Sequence, residues 1–187
     1  MKRIIAGVVI VVLLVLSIGL ITGYNGLVDL DENISAKYSQ IEVRLQERHD
    51  KIPQLVAAVN GLEQYALDVY TAITDARTAY ANAENMDDLI EADAETADAL
   101  SRLLVVVEDN PNINVTAAYT GLIDEISSME SALAVARRDY NLAVQEYNAA
   151  VRKFPRVLYA SLFGFEKELD YWKMNDGADE VPEVNFD

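Results

Sequence analysis

The sequence has no cysteine and a single histidine, His49, among its 187 residues. The missing cysteines exclude disulfides, a lipoprotein-type cysteine anchor and thiolate metal sites; they leave the compartment open, because an oxidising environment permits disulfides without requiring them. One histidine excludes a di-metal helical bundle, which needs Glu-x-x-His on two helices, and the residue three before His49 is Gln46. HExxH, P-loop and GxGxxG patterns are also missing. Basic residues are few: 15 Lys and Arg against 31 Asp and Glu give a net charge of −16. Nucleic acid is therefore excluded as a partner, since phosphate binding needs a basic face, and the acid excess reads first as a solvated surface. Only four Pro and eight Gly interrupt a chain rich in Ala, Leu, Val and Glu. That balance favours helices, and the length favours one domain with a real core.

What is present is organised around one stretch. From Val115, steps of four and three land on Tyr119, Leu122, Ile126, Met129, Leu133, Ala136, Tyr140, Ala143, Tyr147, Ala150 and Phe154. Every step is apolar or aromatic, so one seam of a helix faces one neighbour. No Gly or Pro lies between Leu122 and Phe154. The pattern predicts one helix over 115–154, roughly 55–60 Å long at 1.5 Å per residue, and such a helix needs partners.

The chain opens with Met1-Lys2-Arg3 and then runs uncharged and apolar from Ile4 to Ile21. As a helix this run spans about 27 Å, close to the hydrocarbon thickness of a bilayer. The exit, Leu20-Ile21-Thr22-Gly23-Tyr24, is a poor cleavage site, so an uncleaved anchor over residues 1–23 is expected, with lipid as a partner through residues 4–21. Lys2 and Arg3 precede the span and no basic residue follows until Lys37. The positive-inside rule then places the N-terminus in the cytoplasm and the body outside, as a single-pass protein of the cell membrane.

Leu27, Leu30, Ile34, Tyr38, Ile41 and Leu45 form the next stripe, so the anchor runs on into a first bundle helix. Asp50-Lys51-Ile52-Pro53 predicts a turn, because proline breaks helices and restricts the residue before it. A second helix follows on Leu55, Val59, Leu62, Ala66, Val69, Ile73, Ala76, Tyr80 and Ala83. Asn85-Met86-Asp87-Asp88 predicts a connection in which Asp87 or Asp88 accepts from free N–H groups. The third helix carries Leu89, Ala92, Thr96, Ala99, Leu103 and Val106, lightly packed in its acidic first half and deeply buried in its second. The expected fold is all-α: an N-terminal transmembrane helix followed by an antiparallel up-down bundle of four-helix type, residues 24–155, with a long last helix. Residues 156–187 form an aromatic tail that folds back on the bundle, with Val184 and Phe186 on one side to tack it down.

These features resemble the LemA family. Tyr24-Asn25-Gly26-Leu27-Val28 looks like its opening motif, and Ile41 through Val56 resembles its best-known stretch. Met129-Glu130, Ala136 through Asn141, Tyr147-Asn148 and Phe154-Pro155 fit its long helix, and Phe163-Gly164-Phe165 and Pro182 through Phe186 its tail. Lys37-Tyr38 stands where that family usually has Ala-Trp, and Asp31-Glu32 replaces a more basic pair. The resemblance implies a membrane-anchored antiparallel helical bundle and no catalytic residues.

Read for chemistry, the residues assemble no catalytic, cofactor-binding or metal-ligating set. His49 reads as a surface residue, with a pH sensor tuned by its neighbours Glu47, Arg48 and Asp50 as the alternative. Asp87-Asp88 and Glu91-x-Asp93-x-Glu95 read as caps and solvated faces, with weak divalent-cation binding as the alternative. Tyr140-Asn141 and Tyr147-Asn148, seven apart, read as ring packing with polar groups reaching partners at the bundle edge. Arg137, Arg138, Asn141 and Asn148 flank the seam and remain for an outside protein. The function expected is a non-enzymatic scaffold or protein-interaction module at the cell envelope, with a membrane or envelope protein or a second copy as partner. The alternatives are an envelope stress, ion or pH sensor, or a weak metal-binding protein using the acidic third helix with His49.

Overall fold

A computed structural model describes residues 1–58, 67–108 and 117–173. Among the described residues there are five helices and no strand: α1 Lys2–Ala58, α2 Leu67–Asn82, α3 Met86–Glu108, α4 Ala117–Arg152 and α5 Arg156–Phe163. The protein is all-α, as the periodicity predicts. Val59, Leu62, Ala66, Val115, Val184 and Phe186 lie outside the described residues. The chain divides into two compact units, Met1–Gln40 with Arg138–Tyr171, and Ile41–Arg137 with Trp172–Asp187.

The second unit is a four-helix arrangement. Ile52 and Leu55 of α1, Val69, Ile73 and Ala76 of α2, Ala99, Leu100, Leu103 and Val107 of α3, and Leu122 and Ile126 of α4 share one core. Gln46 pairs with Tyr80 and His49 with Arg77, so α1 and α2 run antiparallel. Arg48 pairs with Glu130 and Lys51 with Glu125, so α1 and α4 do too. At the start of α3 the cap is Asn85, whose Oδ1 accepts from Asp88 N at 3.0 Å; Asp88 Oδ2 in turn accepts from Glu84 N at 3.0 Å. Asp88 therefore accepts a free N–H at the helix start, as expected, and Asn85 supplies a second cap.

The turn expected at Pro53 does not occur there: α1 passes through it. Pro53 is exposed, while Ile52 and Leu55 are buried on the opposite face. An interior proline costs about 3 kcal/mol, and burying two large aliphatic side chains returns about 3–6 kcal/mol, so tertiary packing outweighs the local break. The first half of α3 is also not lightly packed, since Ala92, Asp93 and Thr96 are all buried.

The first unit pairs the N-terminal part of α1 with the C-terminal part of α4. Leu27 and Ile34 are buried, as are Tyr140, Ala143, Val144, Tyr147, Ala150 and Val151. Tyr38 packs on Tyr140 with ring centroids 6.0 Å apart. Phe154 does not complete the seam: it lies past the end of α4 and is 80% exposed. Among the described residues of the tail, Tyr159, Ala160 and Trp172 are buried. Gly164 ends α5 at φ 78°, the left-handed geometry glycine tolerates best, and Phe165 N donates back to Ala160 O at 3.0 Å.

Candidate functional site

Three places bring chemistry together. The first is the apolar N-terminal part of α1. An 18-residue window there has a mean hydropathy of 3.3, and none of it is buried. By length and composition α1 can cross a membrane, and an exposed Ile, Val and Leu surface of that size is not stable in water.

The second place is a buried charge cluster in the four-helix unit. Arg48 is 2% exposed. Its Nη1 donates to Asp93 Oδ1 at 2.7 Å, and its Nη2 lies 2.5 Å from Glu130 Oε1. Arg137 Nη2 donates to the other oxygen of Asp93, and its guanidinium carbon lies 5.8 Å from the Trp172 ring centre. Two cations and two carboxylates sum to zero. Among the described residues Arg48 Nε and Arg137 Nε find no acceptor, and the Arg48–Glu130 contact is an ion pair without hydrogen-bond alignment. Burial pulls the Arg137 pKa down to about 10, with the nearby Arg48 charge adding to the effect. Burial also lowers the Arg48 pKa, opposed by Glu130. Such a set is costly to desolvate and costlier to break. Asp93 was read as part of a solvated face and Arg137 as open to an outside protein, and Arg48 continues the α1 stripe: Ile41, Leu45, Arg48, Ile52 and Leu55 keep the four-three step. That register was the available signal.

The cluster also divides the acidic run of α3. Asp93 points inward to two arginines while Glu91 and Glu95 are exposed. Residues two apart on a helix face different sides, so the three carboxylates do not converge. Among the described residues no group of three His, Asp or Glu side chains is placed to hold a metal. A cleft of about 410 Å³ between α2 and α3 is lined by Asp68, Thr71, Ala72, Asp75, Glu95, Asp98 and Arg102, and Arg102 is paired with Asp98 at 2.7 Å. His49 is half-buried rather than on the surface. Its Nδ1 lies 3.4 Å from Asp50 Oδ1, its Nε2 accepts from Arg77 Nε at 3.5 Å, and its ring lies 5.0 Å from Tyr80.

The third place is the Tyr-Asn repeat in the first unit. Tyr140 Oη donates to Asp170 O at 3.1 Å and Tyr147 Oη to Glu166 O at 3.0 Å. Asn148 is 1% exposed and bonds Leu169 twice: Nδ2 donates to its O at 2.9 Å, and Oδ1 accepts from its N at 2.8 Å. These side chains hold the segment after α5, as the ring-packing reading expects. Arg137 and Asn148 are consequently not available to an outside protein. Arg138 is exposed, with Asp139 at 3.2 Å.

A helical bundle that carries one bare apolar helix of membrane-spanning length defines the class. The LemA family model matches residues 37–186, and the chain belongs to the LemA family. The match takes in every motif-like segment from Ile41 to Phe186 and leaves out Tyr24–Val28. The chain is 28% identical over 186 aligned positions to Magnetosome protein MamQ 2 of Paramagnetospirillum magneticum, covering 86% of this chain and 68% of the relative. Magnetosome protein MamQ 1 of the same organism gives the same figures, 28%, 86% and 68%. Magnetosome protein MamQ of Magnetospirillum gryphiswaldense is 24% identical over the same shares, 86% and 68%.

Proposed function

We propose that this protein is a membrane-tethered, non-enzymatic scaffold. The observation that carries the reading is the N-terminal part of α1, which is apolar and uncharged from Ile4 to Ile21, with none of its 18-residue apolar window buried by the rest of the fold. The charges inside the body are spent on one another, which fits a structural role better than a reactive one. Lys2 and Arg3 favour a cytoplasmic N-terminus with the body on the other side. The magnetosome relatives are named for a compartment and fit an envelope role. The body then offers its acidic α2–α3 face, with Asp68, Asp75, Glu95 and Asp98, to a basic segment of a membrane or envelope protein or of a second copy. Photo-crosslinkers at positions 75 and 98, in native membranes, are expected to give one discrete protein adduct that is lost in high salt. A turnover activity abolished by one polar substitution in a correctly folded protein would overturn the reading. Protease protection in intact cells checks the side: the body is cut from outside if the orientation holds.

A second reading rests on His49, whose Nε2 meets Arg77 Nε across α1 and α2 and whose Nδ1 lies beside Asp50. On this reading the protein senses acidity. Stability and self-association that stay constant from about pH 5 to 8, in the wild type and in His49→Gln alike, would exclude it.

A further inference from the structure

The helix α5 hides one side and shows the other. Tyr159 and Ala160 are buried, whereas Leu158 is 61% and Leu162 73% exposed, and Phe163 and the preceding Phe154 are exposed as well. Leu158 and Leu162 are four apart in α5 and share one face, and Phe154 is exposed in the turn just before it. A row of this kind on an eight-residue helix is not a water-facing surface.

Its position says what covers it. A Cβ placed on Gly23 would fall 2.5 Å from Tyr159 Cε2, so the Tyr159 ring lies directly on the backbone of α1 there. Tyr24 meets Phe163 edge-on at 5.0 Å and Phe165 at 5.6 Å. A Cβ on Gly26 would fall 3.4 Å from Arg156 Nη2. So α5 docks on residues 23–26 of α1, whose long apolar run ends at Ile21 and whose first charge after the run is Asp29. At 1.5 Å per residue the docking level begins about 3 Å beyond that run. The polar margin of a bilayer extends roughly 5–8 Å beyond each side of its hydrocarbon. The exposed face of α5 is therefore continuous with the bare surface of the anchor and lies at headgroup depth.

Charge agrees with this placement. No Asp or Glu lies between Glu146 and Glu166, a stretch that carries Arg152, Lys153 and Arg156 in a chain with 31 acidic residues. Arg152 reaches Glu168 at 3.3 Å, and Lys153 is exposed beside the apolar row.

We propose that α5 is an interfacial helix. Phe154, Leu158, Leu162 and Phe163 rest in the acyl–headgroup boundary of the bilayer that α1 crosses, and Lys153 and Arg156 meet anionic headgroups. The inference rests on the tether reading above, and the experiment separates the two.

The chain has no cysteine, so Leu162→Cys, Val12→Cys and Val43→Cys each accept one spin label in the full-length protein. Each labelled protein is reconstituted in vesicles of phosphatidylcholine, or of phosphatidylcholine with phosphatidylglycerol, and its relaxation by oxygen and by a water-soluble nickel chelate is compared. The expected result is that position 162 falls between the two references, favouring oxygen several-fold over position 43 but less than mid-span position 12, and more strongly with the anionic lipid. Nickel access at 162 equal to that at 43, with position 12 still in lipid, overturns the α5 proposal and leaves the tether standing. Nickel access at both 12 and 162 overturns the tether. Loss of both relaxants at 162 together with dipolar broadening means that a second copy covers the face, which also overturns the proposal. Equal oxygen access in the two lipid mixtures overturns the headgroup contact.

Discussion

The two compact units bury polar groups in different ways. The four-helix unit buries the Arg48 guanidinium, and half-buries that of Arg137, against Asp93, with Glu130 at the edge. The unit that carries the anchor has Asn148 as its buried polar side chain among the described residues, with buried Tyr140 and Tyr147 sending their hydroxyls to backbone carbonyls. A charge demands a counter-charge from another helix in one geometry. An amide or a phenol accepts any backbone, so a segment without helical pattern, residues 166–170, can be held whatever its side chains. One unit is specified by pairs of side chains, the other by side chains reading main chain.

The sharpest way to break this contrast is Asp93→Ala, which strands Arg137 and leaves Arg48 with Glu130 alone. It is expected to cost about 3–5 kcal/mol in denaturant unfolding, and replacing both arginines by apolar residues in the same chain should recover most of that. A loss under about 1 kcal/mol would show that water reaches the cluster and that the contrast is only apparent. Asn148→Ala is the matching test in the other unit. It leaves the Leu169 N–H and C=O without partners, at about 1–3 kcal/mol, with faster amide exchange at Leu169 and unchanged exchange around Arg48.

Alkali offers a weaker probe. Burial raises the pKa of Tyr140 and Tyr147, with Tyr38 and Asp170 adding to the first and Asp31 and Glu166 to the second. Both phenols hold their protons longer in the folded state. Their stabilisation is complete below the unfolded value near 10 and is lost as pH rises through the folded values. Stability should therefore fall above about pH 10, less steeply in Tyr140→Phe and Tyr147→Phe. The smallest expected effect is that of Arg44→Ala, which removes an exposed pair with Glu47 and should change stability by less than about 0.5 kcal/mol.

Much of the fold was legible because seams repeat. Leu122, Ile126, Leu133 and Tyr140 are buried where the four-three step puts them. Pro53 was misread because its local cost is visible in sequence and the burial of Ile52 and Leu55 is not. Asp93 and Arg137 were misread for a related reason: charge argues for the surface unless the opposite charge is known to sit across the bundle, and only the structure brings residues 44 apart together. The role of the Tyr-Asn repeat was legible, but its partner was not, since residues 166–170 have no periodicity to announce them. In α5, composition shows that a segment avoids water without showing which of its sides the protein covers.

The quartet of Arg48, Asp93, Arg137 and Glu130 also limits slippage. Seams rich in alanine, such as Ala92, Ala99, Ala136 and Ala143, are nearly as comfortable one helical turn away, about 5.4 Å. A chain of hydrocarbon alone would therefore have several near-equal ways to nest its helices. Moving α1, α3 or α4 by a turn would part a guanidinium from its carboxylate in a place with little water, so each shifted arrangement carries an unpaired charge. The cluster works less as glue than as a tooth in a ratchet, raising the energy of the wrong assemblies more than it lowers that of the right one.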